Sequence, residues 1–352
     1  MIKASRSQSY IVDVTIGIPV YKPDLNAFAT CLDSVYSQIG FDGNVEILVV
    51  VDGEEDNVEL LKSGVLDNRP WMTVHIQQHG GECAARNTIL KIAKGSWLVF
   101  VDADDRLDNR ALCNLIGIGR LSNADIVASN HWRVYPNRSE RVCRIHDAEV
   151  LRGSLCPSFI ETILSCGSDQ GTVWAKAFRL SYIRDNGLRF NELLVNGVDQ
   201  EFMVRAVLAA HTIATTPELT YSYIYSAGSV VRSFNSQYPS LLEETMRCIQ
   251  DDLRDMLHEP AAISSFSEYC LDRFLMLVIN YVGHPDFPGG YRARKTAFLR
   301  ALNAPRYANA LKEARFDSFS IARRIVLMCA KARLFFPVWL IALLRHRQLR
   351  AG

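Results

Sequence analysis

The chain has 352 residues, 49% of them hydrophobic and 22% charged, a balance that suits a globular protein of one large domain with an appendage, or of two domains. Its net charge is +1, so no global field favours nucleic acid, which is excluded as an expected partner. The nine cysteines stand singly with no C-x-x-C pair, a spacing that argues against a disulfide framework or a thiolate zinc site and fits free thiols in a reducing compartment.

In chain order, VTIGIPVY (14–21) is a compact apolar run with β-branched residues and predicts a buried strand. Leu25, Phe28, Leu32, Val35 and Ile39 then recur at steps of three and four, one face of a helix that Asp24 is placed to cap. VEILVVVD (45–52) predicts a second buried strand and WMTVHIQQ (71–78) a third. A helix from Glu82 to Lys94, closed by Gly95, leads into the strand SWLVFVD (96–102). Another helix (109–121) and the strand ADIVASNHWRVY (124–135) complete the alternation. Near-continuous apolar strands separated by helices predict an α/β fold with a parallel sheet covered on both faces. Ligands collect at the carboxyl ends of such strands, here Pro19-Val20-Tyr21, Asp52 and Asp102-Ala103-Asp104. From about residue 147 the pattern changes. Short helices surround GTVWAKAFRL (171–180), followed by a clean helix, DQEFMVRAVLAA (199–210), and an aromatic strand, TYSYIYS (220–226). After about 236 the chain reads as helices only.

LVFVDADDRL (98–107) places Asp102, Asp104 and Asp105 within four residues of a buried strand end. Like charges this close need compensation by solvent, a protein cation or a metal ion. Asp102 and Asp104, one residue apart, can lean to the same side, and a hard divalent cation takes few carboxylates while keeping positions open for phosphate oxygens. The plainer alternative is an acidic turn that caps the helix starting near Asn109, a task that Asp108 can perform.

P-V-Y (19–21), V-V-D-G (50–53), G-x-x-x-A-R-N (81–87) and D-A-D-D (102–105) together resemble, in order and spacing, the family 2 glycosyltransferases. The resemblance runs over roughly residues 12–235. It implies an inverting, nucleotide-sugar-dependent enzyme with the GT-A fold, a mostly parallel Rossmann-like sheet with helices on both faces. The implied organisation is a GT-A domain over 1–236, its nucleotide-sugar part at about 12–135 and its acceptor and catalytic-base part at about 136–236, then a helical region over 237–352. Carried over by position, Pro19, Val20 and Tyr21 lie beside the nucleotide base, Asp52 accepts from the base, usually uracil N3–H, and Arg86 faces the nucleotide. Asp102, Ala103 and Asp104 form the D-x-D segment, whose two aspartates hold manganese or magnesium, Asp104 the nearer ligand.

Each position also has a structural alternative. Asp52 would be costly if buried unpaired, and its partner could be a loop N–H. Arg86 sits on a helix whose N-terminus favours anions, and in the empty enzyme it is expected to pair with Asp102. His79 and Glu82 read as ordinary loop residues. In the second half, W-A-K (174–176), NGVDQEF (196–202) and YSYIYSAGSVVR (221–232) match the family's later segments. Asp199 therefore resembles the catalytic base, which takes the acceptor hydroxyl's proton as that oxygen attacks; its alternative is a helix cap. Trp174 stands equally as a platform for an acceptor sugar or as core. Ser229 and Arg232 are weaker candidates for reaching the diphosphate. The sequence departs from the family at Val198, where an acid is usual, at Lys22, and at Glu54-Glu55-Asp56.

From Ile321 onward seven Lys or Arg residues meet no acid, leaving 32 basic against 38 acidic residues before them. Large apolar residues with only positive charge suit an interfacial helix pair (321–352) on an anionic leaflet, or a C-terminal helix packed on an acidic body. MIKASRSQSY lacks the apolar core of a signal peptide, and no run reaches the ~20 apolar residues of a membrane span. A cytoplasmic protein, with peripheral contact to the inner face of the cell membrane, is the expectation. Its expected partners are a nucleotide-sugar, UDP-linked by the resemblance, and a glycan or lipid-linked oligosaccharide whose hydroxyl receives the sugar in β-linkage. Two rivals are a catalytically idle nucleotide- or glycan-binding protein on the same scaffold and, ranked lower, a nucleotidyltransferase. The latter wants a glycine- and lysine-rich phosphate loop that PVYKPDLN does not offer.

Overall fold

The computed structural model describes residues 11–167, 169–225, 234–314 and 316–351, with side chains as far as 345. The described residues fall into two units. The first lies within 1–159, 170–193 and 205–227, and the second within 160–169, 194–204 and 228–352.

The first unit is built on a 10-stranded sheet. Its elements in chain order are β1 (Val14–Val20), α1 (Leu25–Tyr36), β2 (Val45–Asp52), α2 (Val58–Lys62), β3 (Met72–Gln77), α3 (Glu82–Ile92), β4 (Trp97–Phe100), β5 (Arg106–Leu107), α4 (Ala111–Ser122), β6 (Ile126–Tyr135), β7 (Arg138–Val142), β8 (Val150–Arg152), α5 (Phe159–Leu164), β9 (Lys176–Arg179), α6 (Leu180–Asp185), α7 (Val198–Ala209) and β10 (Thr212–Ile224), with α5 and α7 reaching beyond it by sequence. The strand order is β3-β2-β1-β4-β9-β6-β10-β5, with β7 on β6 and β8 on β10. β3, β2, β1 and β4 run parallel. β9 then enters antiparallel between β4 and β6, which makes the sheet mixed.

The expected helix after the first strand forms because Phe28, Cys31, Leu32 and Val35 share one buried face and Asp24 accepts from Ala27 N at 2.9 Å at its start. α3 presses closely on β1. A Cβ at Gly17 would lie 2.5 Å from Ile89 Cγ2, so glycine there lets the helix that carries Arg86 sit down on the sheet. One strand departs from expectation. β3, expected to be buried, is the sheet edge, and Thr73, Val74, His75 and Ile76 are exposed on both of its faces because no element covers them there.

The second unit is helical beyond its short insertions: α8 (Tyr238–Asp252), α9 (Pro260–Leu277) continuing into a wide turn at Val278–Val282, α10 (Tyr291–Asn303), α11 (Pro305–Glu313), α12 (Ile321–Lys331) and α13 (Phe335–Ala351). Its core packs Phe274 against Phe298 at 6.0 Å and Tyr307 at 5.4 Å. Buried Asp272 on α9 pairs with Arg273 at 2.5 Å and with Arg323 of α12 at 3.2 Å. Burial pushes its carboxyl up, but the two guanidiniums outweigh this and hold it below the usual range. All nine cysteines are free thiols. No described helix is long and apolar enough to cross a membrane.

Candidate active site

At the carboxyl ends of β1 to β4 the expected donor-site residues fall into two hydrogen-bonded groups, one around Asp52 and Tyr21 and one around Arg86 and Asp102. Asp52 closes β2 with its carboxylate buried. One oxygen accepts from Gln77 Nε2 at 2.8 Å and Gly80 N at 2.9 Å, while the other accepts from Gly81 N at 2.8 Å and pairs with His79 Nδ1 at 2.8 Å. The loop-N–H alternative is therefore what the structure contains, and it fixes the entrance to α3. His79, read as an ordinary loop residue, also stacks on Tyr21 at 4.7 Å with 25° between the rings. Lys22 lies 4.9 Å over the Tyr21 ring and pairs with Asp56 at 2.8 Å. Buried Asn57, which no motif signalled, ties these together: its amide donates to the Asp52 and Gly53 carbonyls, and its oxygen accepts from Lys22 N.

Arg86 is only 2% exposed, held by Glu82 at 2.7 Å and by Asp102 at 2.9 Å, with its guanidinium 5.5 Å from the Phe190 ring. The ion pair to Asp102 is the one expected for an empty enzyme. Glu82, read as a loop residue, opens α3 and makes an i,i+4 pair. The next residue, Asn87, clasps the chain at 190–192: its amide donates to the Phe190 carbonyl and to Glu192, and its oxygen accepts from Phe190 N.

The three aspartates opposite Arg86 divide sharply. Asp102 is half-buried, Asp104 is exposed, and Asp105 is buried. Tyr221 Oη donates to Asp105 Oδ2 at 2.8 Å and accepts from Asp102 N at 3.1 Å, and Ile224 N donates to Asp105 Oδ1 at 2.7 Å. β5 then pairs antiparallel with β10. Several backbone amides flanking this loop are hydrogen-bonded: Val101 N reaches the Gly17 carbonyl, Asp105 N that of Asp102, Leu107 N the Ser34 hydroxyl and Asp108 N the Thr220 carbonyl. Asp105 is thus the anchor of the D-x-D loop, a role the sequence pattern did not mark. Tyr221→Phe leaves a buried carboxylate without its hydroxyl donor and is expected to destabilise the protein by about 1–3 kcal/mol, read as a lower midpoint in urea unfolding.

Whether these residues suit a divalent cation can be tested on their charge. Desolvation by the surrounding loop, then the Asp102 charge, raises the Asp104 carboxyl above its usual range although the residue reaches the surface, and burial with the same Asp102 charge pushes Asp105 up to about 8. A cation beside Asp104 would oppose that upward shift by favouring its ionised form. Among the described residues no three His, Cys, Asp or Glu side chains group to hold a metal. Two carboxylates with open positions fit a cation completed by substrate oxygens, not an all-protein cage.

The remaining candidates stand elsewhere. Asp199 is half-buried in the first turn of α7, in the second unit. The first helical bond runs from Glu201 N to the Gly197 carbonyl, so Gly197 takes the cap position and Asp199 lies inside the helix, not at its cap. Gly197 is left-handed at φ +66° and a Cβ there would meet Thr245 Cγ2 at 2.6 Å; Thr245 also donates to the Asn196 carbonyl. α8 thereby fixes the turn that presents Asp199. Val198, the departure from the family, is buried. Trp174 requires a correction: it is 5% exposed, stacked on Tyr221 at 4.8 Å and Tyr223 at 5.8 Å and edge-on to His131 at 4.7 Å, so its ring is core and offers no platform to an acceptor. Ser229 and Arg232 lie outside the described residues.

Residues 15–169 match glycosyl transferase family 2. The succinoglycan biosynthesis protein ExoO of Rhizobium meliloti is 26% identical over 225 residues, 63% of each chain. Poly(ribitol-phosphate) beta-glucosyltransferase of Bacillus spizizenii is 24% identical over 217 residues, 60% of this chain and 32% of its own. The chain thus spans less than two thirds of the length of these relatives. The fold is similar to that of S. aureus TarS 1-349 solved in complex with UDP-GlcNAc, with a TM-score of 0.65 and 19% identity over 96% of this chain and 92% of that one. The ordered motifs, the mixed sheet that carries them and the match over residues 15–169 make this chain similar to glycosyl transferase family 2 over that segment.

Proposed function

We propose that the protein is an inverting glycosyltransferase that moves a sugar from a nucleotide-sugar to a hydroxyl of a glycan or lipid-linked oligosaccharide, with metal assistance. The observation that carries the reading is the D-x-D pair, locked by Tyr221 and Asp105 beside a buried Arg86. Pro19, Val20 and Tyr21, with His79 stacked on the tyrosine, form the base side of the donor site. Asp52 acts there by holding the 77–81 loop, and a base that bonds to it must displace one of its present donors. Arg86 contributes positive charge toward the diphosphate. Asp102 and Asp104 would hold the divalent cation, manganese or magnesium, which neutralises the departing diphosphate when bound.

Asp199 serves as the general base. The acceptor oxygen attacks the anomeric carbon, its proton passes to the Asp199 carboxylate, and the bond from that carbon to the diphosphate breaks in the same displacement. One displacement inverts the centre, so an α-linked donor gives a β-linked product. UDP is the favoured nucleotide because the similar TarS structure holds UDP-GlcNAc. A surface polysaccharide or polyol-phosphate acceptor follows from what the names of the two relatives state.

The test is release of free nucleoside diphosphate from a panel of nucleotide-sugars, with manganese or with chelator, and with slow donor hydrolysis counted. Metal-dependent release from one donor supports the reading and names the sugar. Tight donor binding with no release, even when candidate acceptors are supplied, favours the idle binder, for which buried Val198 in place of an acid is the encouragement.

A further inference from the structure

α12 and α13 each bury one apolar face and leave another open. On α12, Val326, Leu327 and Ala330 are buried, while Ile321, Ile325 and Met328, at steps of four and three, are exposed. On α13, Phe335, Val338 and Ala342 are buried, with Phe335 5.1 Å from Tyr291 and 5.3 Å from Phe298, while Phe336, Leu340 and Leu344, at steps of four, are exposed. At 100° per residue each exposed set is one stripe, opposite the packed one. The short turn between the helices adds Leu334, 53% exposed, beside Lys331 and Arg333.

The charge on this segment is one-sided. Residues 321–352 contain seven Lys or Arg and no acid. Arg323 is neutralised by Asp272 and Arg324 reaches Asp317 at 3.9 Å. Lys331, Arg333 and Arg345 make no ion pair among the described residues; Arg333 donates to Asn303 Oδ1 and Lys331 lies 5.7 Å from the Phe316 ring. A second copy of this chain docking through the same stripes would bring two such basic segments together, which like-charge repulsion opposes. A surface of negative headgroups over hydrocarbon matches both features, since exposed apolar side chains enter the headgroup boundary while nearby cations meet the phosphates. Among the described residues neither helix is long and apolar enough to cross a membrane.

We infer that the α12–α13 hairpin docks the protein on an anionic phospholipid bilayer, with Met328, Leu334, Phe336 and Leu340 entering the interface and Lys331, Arg333 and Arg345 on the headgroups. The inference does not rest on the transferase reading, because vesicle binding is measured without donor or acceptor.

The test is co-sedimentation of the full chain with vesicles of phosphatidylcholine alone and of phosphatidylcholine with 30% phosphatidylglycerol. Binding to the anionic vesicles is expected, weakened by raised salt and weak on the neutral ones. Lys331→Gln with Arg333→Gln should lower the affinity about fivefold for each charge removed. Met328→Ser with Phe336→Ser and Leu340→Ser, all at exposed positions, should lower it at least tenfold while the circular dichroism spectrum and unfolding midpoint hold. Absence of binding to anionic vesicles, or binding that neither variant changes, overturns the inference. Concentration-dependent dimerisation, abolished by the serine variant without any vesicle binding, overturns it in favour of a second copy.

Discussion

Asp199→Asn is expected to lower turnover about 10²–10⁴-fold, the range a positioned general base supplies, while donor affinity stays within about twofold. The asparagine keeps the shape of the side chain and loses the capacity to take the acceptor's proton, so the loss falls on kcat and not on donor binding. The structural setting sharpens the expectation. Asp199 is inside the first turn of α7, with Gly197 in the cap position, so the substitution removes no N-cap and should change the unfolding midpoint little. Nucleoside diphosphate release with saturating acceptor, paired with donor binding by calorimetry, reads both quantities. If turnover persists in the variant, the base lies elsewhere, and the buried Val198 beside it then speaks for an idle segment.

Asp104→Asn is expected to cost about 10²–10³-fold in metal-dependent turnover, because several kcal/mol of charge stabilisation on the leaving group pass through the cation. The stability effect should have the opposite sign. Partial desolvation and the Asp102 charge raise the Asp104 carboxyl, so above its folded titration point the ionised side chain is held at a small, solvent-screened cost relative to the unfolded chain. Removing the charge lifts that cost. In metal-free buffer at neutral pH the variant should therefore melt at or above wild type, whereas manganese should raise the Tm of wild type and not of the variant. A scanning fluorimetry series with and without chelator, beside the turnover assay, decides this. Equal manganese shifts for both proteins would place the cation away from Asp104.

How much of this was readable in the chain differs element by element. β1, β2 and β4 stand out because both faces of a central parallel strand are buried, leaving near-continuous apolar runs. β3 carries the same alphabet but lies at the edge, where no element covers Val74 and Ile76. The antiparallel entry of β9 between β4 and β6 left no local trace, since strand direction depends on where the chain returns and not on what it contains. Within D-A-D-D, all three aspartates look alike. What makes Asp105 the buried anchor is Tyr221, 116 positions away. Asp52 shows the reverse: its burial was foreseeable from its strand, but its four donors come from the 77–81 loop, whose folding no periodicity describes. Trp174 was balanced between two fates, and the parallel rings of Tyr221 and Tyr223 decided for core. The passage of 160–169 and 194–204 into the helical unit was likewise silent in composition.

The strapping of the D-x-D loop bears on the thermodynamics of donor capture. The amides of Val101, Asp102, Asp105, Leu107 and Asp108 are all hydrogen-bonded within the protein, so a donor held there as proposed would cost this backbone little conformational entropy, leaving desolvation of the carboxylates and ordering of the ligand to limit its affinity. Those amides should exchange with deuterium slowly in the free protein, and nearly as slowly when donor is added. If the loop receives the donor as proposed, its ordering was met during folding, and Tyr221 and Asp105 are the scaffold positions through which donor affinity would be tuned.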